Sequence, residues 1–289
     1  VYVDQNRALV DNLDILKGRI PAKAATPEEV GLSVQDAALR DKLAQQKTKV
    51  RELYKQAESS GELQGPVSPK PVMDLLDNSP DLTHLGWVQS WLNRVKATKT
   101  ETAGGTTVET TKQLTLKEME DLRQAAVAKA MDGGTEGYYA GKVIDAIDNA
   151  TDGAGGVAYK AARAARKAQA LEFQDQGAVA RLVENKTRTD RSVALEDTWR
   201  KTVIGGSLED LNNVKRSLLT GEFATARAAG RQAWRDLQAQ TIQHIKDMAT
   251  KSVTRFEDGT PNVTPAAMEQ AIRSVGDAKI DALFSKGTA

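Results

Sequence analysis

A chain in which alanine fills 41 of 289 positions, while aromatic residues make up only 4%, is steered towards helices that touch closely. Alanine has the highest intrinsic helix propensity. Its methyl group also lets two backbones approach where a ring would hold them apart. The same bias leaves little bulk for one thick core. The expectation is an all-α fold, either a multi-helix bundle or an extended helical array. Its cores should be thin and in need of neighbours to bury enough apolar area.

Apolar spacing supports helices along most of the chain. Leu9, Leu13, Leu16 and Ile20 mark a first helix. After a loop over residues 21–31, Ser33 reads as the cap of a helix running to about Glu58, with Leu39, Leu43, Val50, Leu53 and Tyr54 on one face. Prolines 66, 69 and 71 interrupt it, and Pro71 suits the first turn of a short helix. Between Lys96 and Gln113 the pattern changes to threonine-rich sequence around Gly104-Gly105, which reads as a β-hairpin. Thr115-Leu116-Lys117-Glu118 is a capping box. Beyond it, one alanine-rich helix is expected from Val157 to Asn185. Further helices are expected after Ser192, Ser207, Glu222 and Thr264. The expected organisation is an N-terminal helical region over 1–95, a hairpin insertion over 96–114 and a C-terminal helical region over 115–289. The first residue is Val1 rather than methionine, and the chain reads as a segment of a larger protein.

Composition removes several kinds of chemistry. There is no cysteine, so disulfides, thiol nucleophiles and thiolate metal sites are excluded. The two histidines, His84 and His244, are far apart. His244 lies on an apolar line with Leu237, Ile245 and Met248 and reads as structural. Gly205-Gly206-Ser207 resembles a fragment of a serine-nucleophile motif, but a helix stop followed by a helix cap accounts for it fully. Carboxylate groups such as Glu118, Glu120 and Asp121, or Glu196 and Asp197, read as solvated helix faces. No phosphate-binding loop is present. No enzyme activity, cofactor, metal or small-molecule substrate is expected.

Charge is balanced, with 40 basic against 39 acidic residues. One local excess stands out. Eight basic and four acidic residues fall between Val157 and Arg191. Lys160, Arg163, Arg166 and Lys167 are the candidate DNA-facing residues, with Lys160, Arg163 and Lys167 expected on one helix face. Such a stripe would follow phosphates without reading sequence. A solvated or partner-facing helix surface is the commoner outcome for a basic run.

Several segments resemble a known family. They are Leu53-Tyr54-Lys55-Gln56-Ala57 with Gly61-Glu62-Leu63, Leu114-Thr115-Leu116-Lys117-Glu118-Met119, Gly206-Ser207-Leu208-Glu209-Asp210-Leu211, and Gly230-Arg231-Gln232-Ala233-Trp234. Together with the stretch from Thr264 to Phe284, they resemble the internal virion, or ejection, proteins of short-tailed bacteriophages. That resemblance implies a protein held in the virion interior and expelled with the genome into the host periplasm and envelope. It implies a homo-oligomeric ring or tube that conducts DNA. Its partners would be other ejection, portal or tail proteins, with non-specific contact to double-stranded DNA. A static tail or portal-associated component, and a non-catalytic part of a cell-wall-degrading virion protein, are the competing readings.

Overall fold

Helix caps placed by the sequence set most of the architecture. The computed structural model describes residues 2–95, 98–101, 107–110, 113–251 and 253–285. It opens with α1 (Tyr2–Gly18), α2 (Pro27–Gly31) and α3 (Asp41–Ser59). A nine-residue π-helical segment, Leu32–Arg40, joins the last two without a break. A 3-10 turn and β1 (Pro66–Val67) lead to α4 (Lys70–Asp77) and α5 (Gly86–Val95). β2 (Thr98–Glu101) and β3 (Thr107–Thr110) pair antiparallel, Thr98 with Thr110 and Glu101 with Thr107. β4 (Leu114–Thr115) pairs antiparallel with β1 and runs into α6 (Leu116–Asp132). Then come α7 (Gly134–Thr151), α8 (Val157–Phe173), α9 (Gly177–Val183) and a π-helical turn at Arg200–Ile204. α10 (Leu208–Leu219), α11 (Ala224–Thr250), α12 (Pro265–Val275) and α13 (Asp277–Phe284) complete the chain. The fold is all-α with a small β-hairpin, as composition and patterning implied. The Gly104-Gly105 turn lies outside the described residues.

Four expectations change. Ser192 caps no helix: residues 192–197 run through bends and turns, and helical backbone begins only at Thr198, leading into a π-helical turn. Ser33 does not start a helix. Thr26 does, in a capping box with Glu29 and with Pro27 in the first turn. Ser33 sits inside the π-helical segment and donates to the Asp236 carboxylate at 2.6 Å. The single helix expected from Val157 to Asn185 is two. The amides of Gln174 and Asp175 converge on the Ala170 carbonyl at 2.8 and 3.1 Å, which closes α8 before α9 begins. The grouping of regions also differs from the sequential one. Packing gathers Val1–Thr48 with Arg166–Ala289 as a first unit and Lys49–Ala165 as a second. Both boundaries fall inside helices, α3 and α8, where no change of composition marks them.

The first unit is built on α11, which buries Ala226, Gly230, Ala233, Trp234 and Leu237. Around it pack the π-helical segment through Val34, Ala38 and Leu39, α10 through Leu211, Val214 and Leu218, and α12 through Met268 and Val275. Contacts are close where residues are small. A Cβ on Gly230 would lie 1.8 Å from the Leu218 carbonyl oxygen, and one on Gly31 would lie 2.2 Å from that of Leu195. Lysines from other elements satisfy helix-end carbonyls. Lys42 is 3% exposed and donates to Ser217 O at 2.7 Å, Thr220 O at 2.8 Å and Glu172 Oε1 at 2.6 Å. Lys279 donates to Val203 O and Ile204 O, and Lys215 to Ala282 O. These carbonyls have no partner in their own helices and carry the negative end of the helix dipole.

The second unit centres on the helical hairpin α6–α7, which turns at Gly133. Leu116, Met119, Leu122 and Ala126 of α6 meet Ala140, Val143 and Ile147 of α7 in its core, with Val72 and Leu76 of α4 and Tyr159 of α8. The Glu62 carboxylate accepts from the Ala158 and Tyr159 amides at 3.3 and 2.8 Å, so an anion caps the start of α8.

Candidate interaction surface

The four candidate DNA-facing residues all lie on α8, but the helix sends them to different environments. Lys160 and Lys167 are exposed. They have no ion pair or hydrogen bond among the described residues. Arg163 stands about 60° round the helix from Lys160, towards the packed side. It pairs with Glu120 at 3.4 Å and with Asp148. Arg166 is half-buried and donates to Gln169 Oε1 at 3.0 Å. The expected three-residue basic face is therefore reduced to Lys160 and Lys167.

Arg163 belongs to a charge cluster inside the second unit. Glu120, expected on a solvated face, is 5% exposed. It lies one helical turn from Leu116 on the inner side of α6, and it accepts from the Tyr54 hydroxyl at 3.1 Å and the Tyr159 hydroxyl at 3.4 Å. Arg123 joins it to Asp148, with Nε 2.8 Å from Oδ1. Burial first, and then the Glu120 charge, raise the pKa of both tyrosines. Burial opposes the Arg163 charge, but the Asp148 hydrogen bond and nearby anions outweigh it and raise its pKa. The result is two carboxylates neutralised by two guanidiniums, with both phenols held protonated. Such a cluster ties α3, α6, α7 and α8 together within the unit.

In the first unit a shallow groove of about 710 Å³ runs beside the π-helical segment, between Lys23, Leu32, Asp36 and Gln232. Its carboxylates are engaged. Asp236 accepts from the Lys23 and Ala24 amides, the Ser33 hydroxyl and the Gln232 amide. Asp36 takes both guanidinium nitrogens of Arg191 at 2.7 and 2.8 Å. His244 packs its ring 4.7 Å from that of Trp199, whose indole nitrogen donates to Thr241 at 2.9 Å. Among the described residues no group of histidine and carboxylate side chains is arranged to hold a metal ion, and no helix is long and apolar enough to cross a membrane.

What remains open is the outer side of α8. Its inner side buries Tyr159, Ala162 and Phe173, as a surface helix should. Its outer side is also apolar. Val157, 84% exposed, Ala164 and Leu171, 51% exposed, recur every seven residues, with Ala161 and Ala168 beside them and Lys160 and Lys167 along one edge. An exposed apolar strip rimmed by charged side chains is a mark of an interaction surface. The seven-residue recurrence was present in the sequence. Basic residues are interleaved with it, and a solvated or partner-facing surface was the commoner outcome expected there. No family model, curated protein or solved structure matches this chain.

Proposed function

We propose that this chain is a non-catalytic subunit of a homo-oligomeric ring or tube. In this reading it is carried in the virion interior, expelled with the genome, and conducts DNA across the host envelope, as the internal virion proteins it resembles do. The observation that carries the reading is α8, a 17-residue helix whose outer side is apolar and uncovered in a single copy. Close backbone contacts, as at Gly230 and Gly31, and a near-neutral chain fit a structural subunit. The engaged state of the buried carboxylates fits a protein without a catalytic centre. Lys160 and Lys167 alternate with apolar side chains, a pattern better suited to a protein partner than to a run of phosphates. DNA would then pass through the enclosed space rather than along α8.

Two measurements test the proposal. Electron microscopy of the purified chain should show rings or tubes. Quantitative mass spectrometry of intact and genome-emptied virions should show the chain lost with the DNA. Retention in emptied particles would replace ejection with a static tail or portal-associated role. Clearing of purified cell wall in a zymogram would overturn the non-catalytic assignment.

A further inference from the structure

The outer side of α8 has a counterpart on α1. The inner side of α1 places Leu9, Val10 and Leu13 half-buried against the first unit's core. Lys246 on Asp14 and Lys17 on Gln243 hold it there. Its outer side presents Asp4, Ala8, Asp11 and Ile15, all exposed, with Ile15 at 51%. Asp4 and Asp11 are seven residues apart, as are Ala8 and Ile15. On α8, Lys160 and Lys167 are seven apart, as are Ala164 and Leu171. Each helix thus carries an uncovered heptad stripe with a charge three residues after its alanine. The charges are opposite in sign. None of the four charged side chains has an ion pair or hydrogen bond among the described residues.

We infer that α1 of one copy packs in parallel along α8 of a second copy. The shared seven-residue period is the one that keeps a helix seam in contact. One parallel register places Ala8 on Ala164 and Ile15 on Leu171, and brings Asp4 to Lys160 and Asp11 to Lys167. The antiparallel register also matches the charges, but it carries Leu171 past the end of α1. Two different faces of the same chain meet, so the contact closes as a reciprocal dimer if both α1 helices engage the same pair of copies, and propagates into a ring or a filament if each engages a new copy. The inference rests on the self-assembly reading above and names its interface.

The chain has no cysteine, so engineered cross-links report only the intended pair. Ile15→Cys and Leu171→Cys proteins, prepared separately, mixed and oxidised, should give a covalent dimer. Its yield should exceed that from Ile15→Cys with Val157→Cys by about tenfold, because disulfide geometry tolerates little displacement. Ala8→Cys with Ala164→Cys, which also face each other in this register, is a second pair for use if one of the first variants loses its helical circular dichroism. Adding Lys160→Asp and Lys167→Asp to the α8 partner should abolish the dimer. Adding Asp4→Lys and Asp11→Lys to the α1 partner should restore it. Absence of the 15–171 and 8–164 cross-links, or a cross-link indifferent to charge reversal, would overturn the inference. So would a disulfide closing within one chain of the Ile15→Cys/Leu171→Cys double variant. Rings or tubes seen without these cross-links would leave the assembly reading standing and remove only this interface. Cross-linked chains that build no closed or tubular particle would do the reverse.

Discussion

At the scale of single residues, this protein trades bulk for proximity. Gly230 is the clearest case, because any side chain there would overlap the Leu218 carbonyl. Helix propensity alone favours Gly230→Ala by about 1 kcal/mol. Overpacking costs about 1–3 kcal/mol and acts here against backbone, which cannot rotate away. The expected outcome is a net loss of stability, read as a lower urea midpoint. A gain would show that α10 and α11 are not in contact as described. His244 gives a pH-dependent residue. Burial lowers its pKa below the ordinary 6.5, with Asp247 acting weakly in the other direction. The folded state therefore prefers the neutral ring. Its contribution to stability is fully present above about 6.5 and is lost as pH falls through the lowered folded value. Urea midpoints should fall across that window, and His244→Gln should flatten this part of the profile. Trp199, in ring contact with His244, supplies the fluorescence.

At the scale of elements, the helices written locally were legible and those set by tertiary contact were not. Thr115 with Glu118 forms the capping box its spacing announced, Ser207 caps α10 as expected and does so in a box with Asp210, and Thr264 caps α12 beside Pro265. Ser33 has equally good local credentials, but Thr26 precedes it with a complete box, and Asp236, 203 residues away, takes the Ser33 hydroxyl instead. The π-helical segment at Leu32–Arg40 has no simple sequence signature. It accommodates the buried Gln35, whose amide reaches Val193 O at 3.0 Å and Thr198 Oγ1 at 2.8 Å. α1 differs in kind from the others. It has no fully buried side chain where its side chains are described, and polar contacts at partly exposed positions tie it to α11 and to Asp258 and Asn262. Local opening is easiest where few apolar contacts are lost. Amide hydrogens of α1 should exchange well before those of α11, by about two orders of magnitude or more. Equal protection would mean that α1 is held by something other than these contacts.

At the scale of the whole molecule, fold class was legible from alanine content and apolar spacing, whereas the division into units was not. A sequential reading cuts where composition changes, at the hairpin. The chain instead leaves the first unit within α3 and returns to it within α8. Periodicity cannot reveal such a boundary, because the helix continues through it. The candidate surface was half visible. Of the expected basic stripe, Lys160 and Lys167 are exposed, whereas Arg163 was grouped with them because its partners, Glu120 and Asp148, come from α6 and α7. Lys42 also carries a consequence for chemical labelling. Its ammonium is enclosed by Glu172 and the last carbonyls of α10, while Lys160 and Lys167 stand in solvent. An amine-reactive reagent should modify the two α8 lysines at once and reach Lys42 only when the first unit opens. The slow appearance of a tag on Lys42, followed by peptide mass spectrometry, is then a clock for that opening. The same experiment on assembled particles shows whether Lys160 and Lys167 have been withdrawn from the reagent.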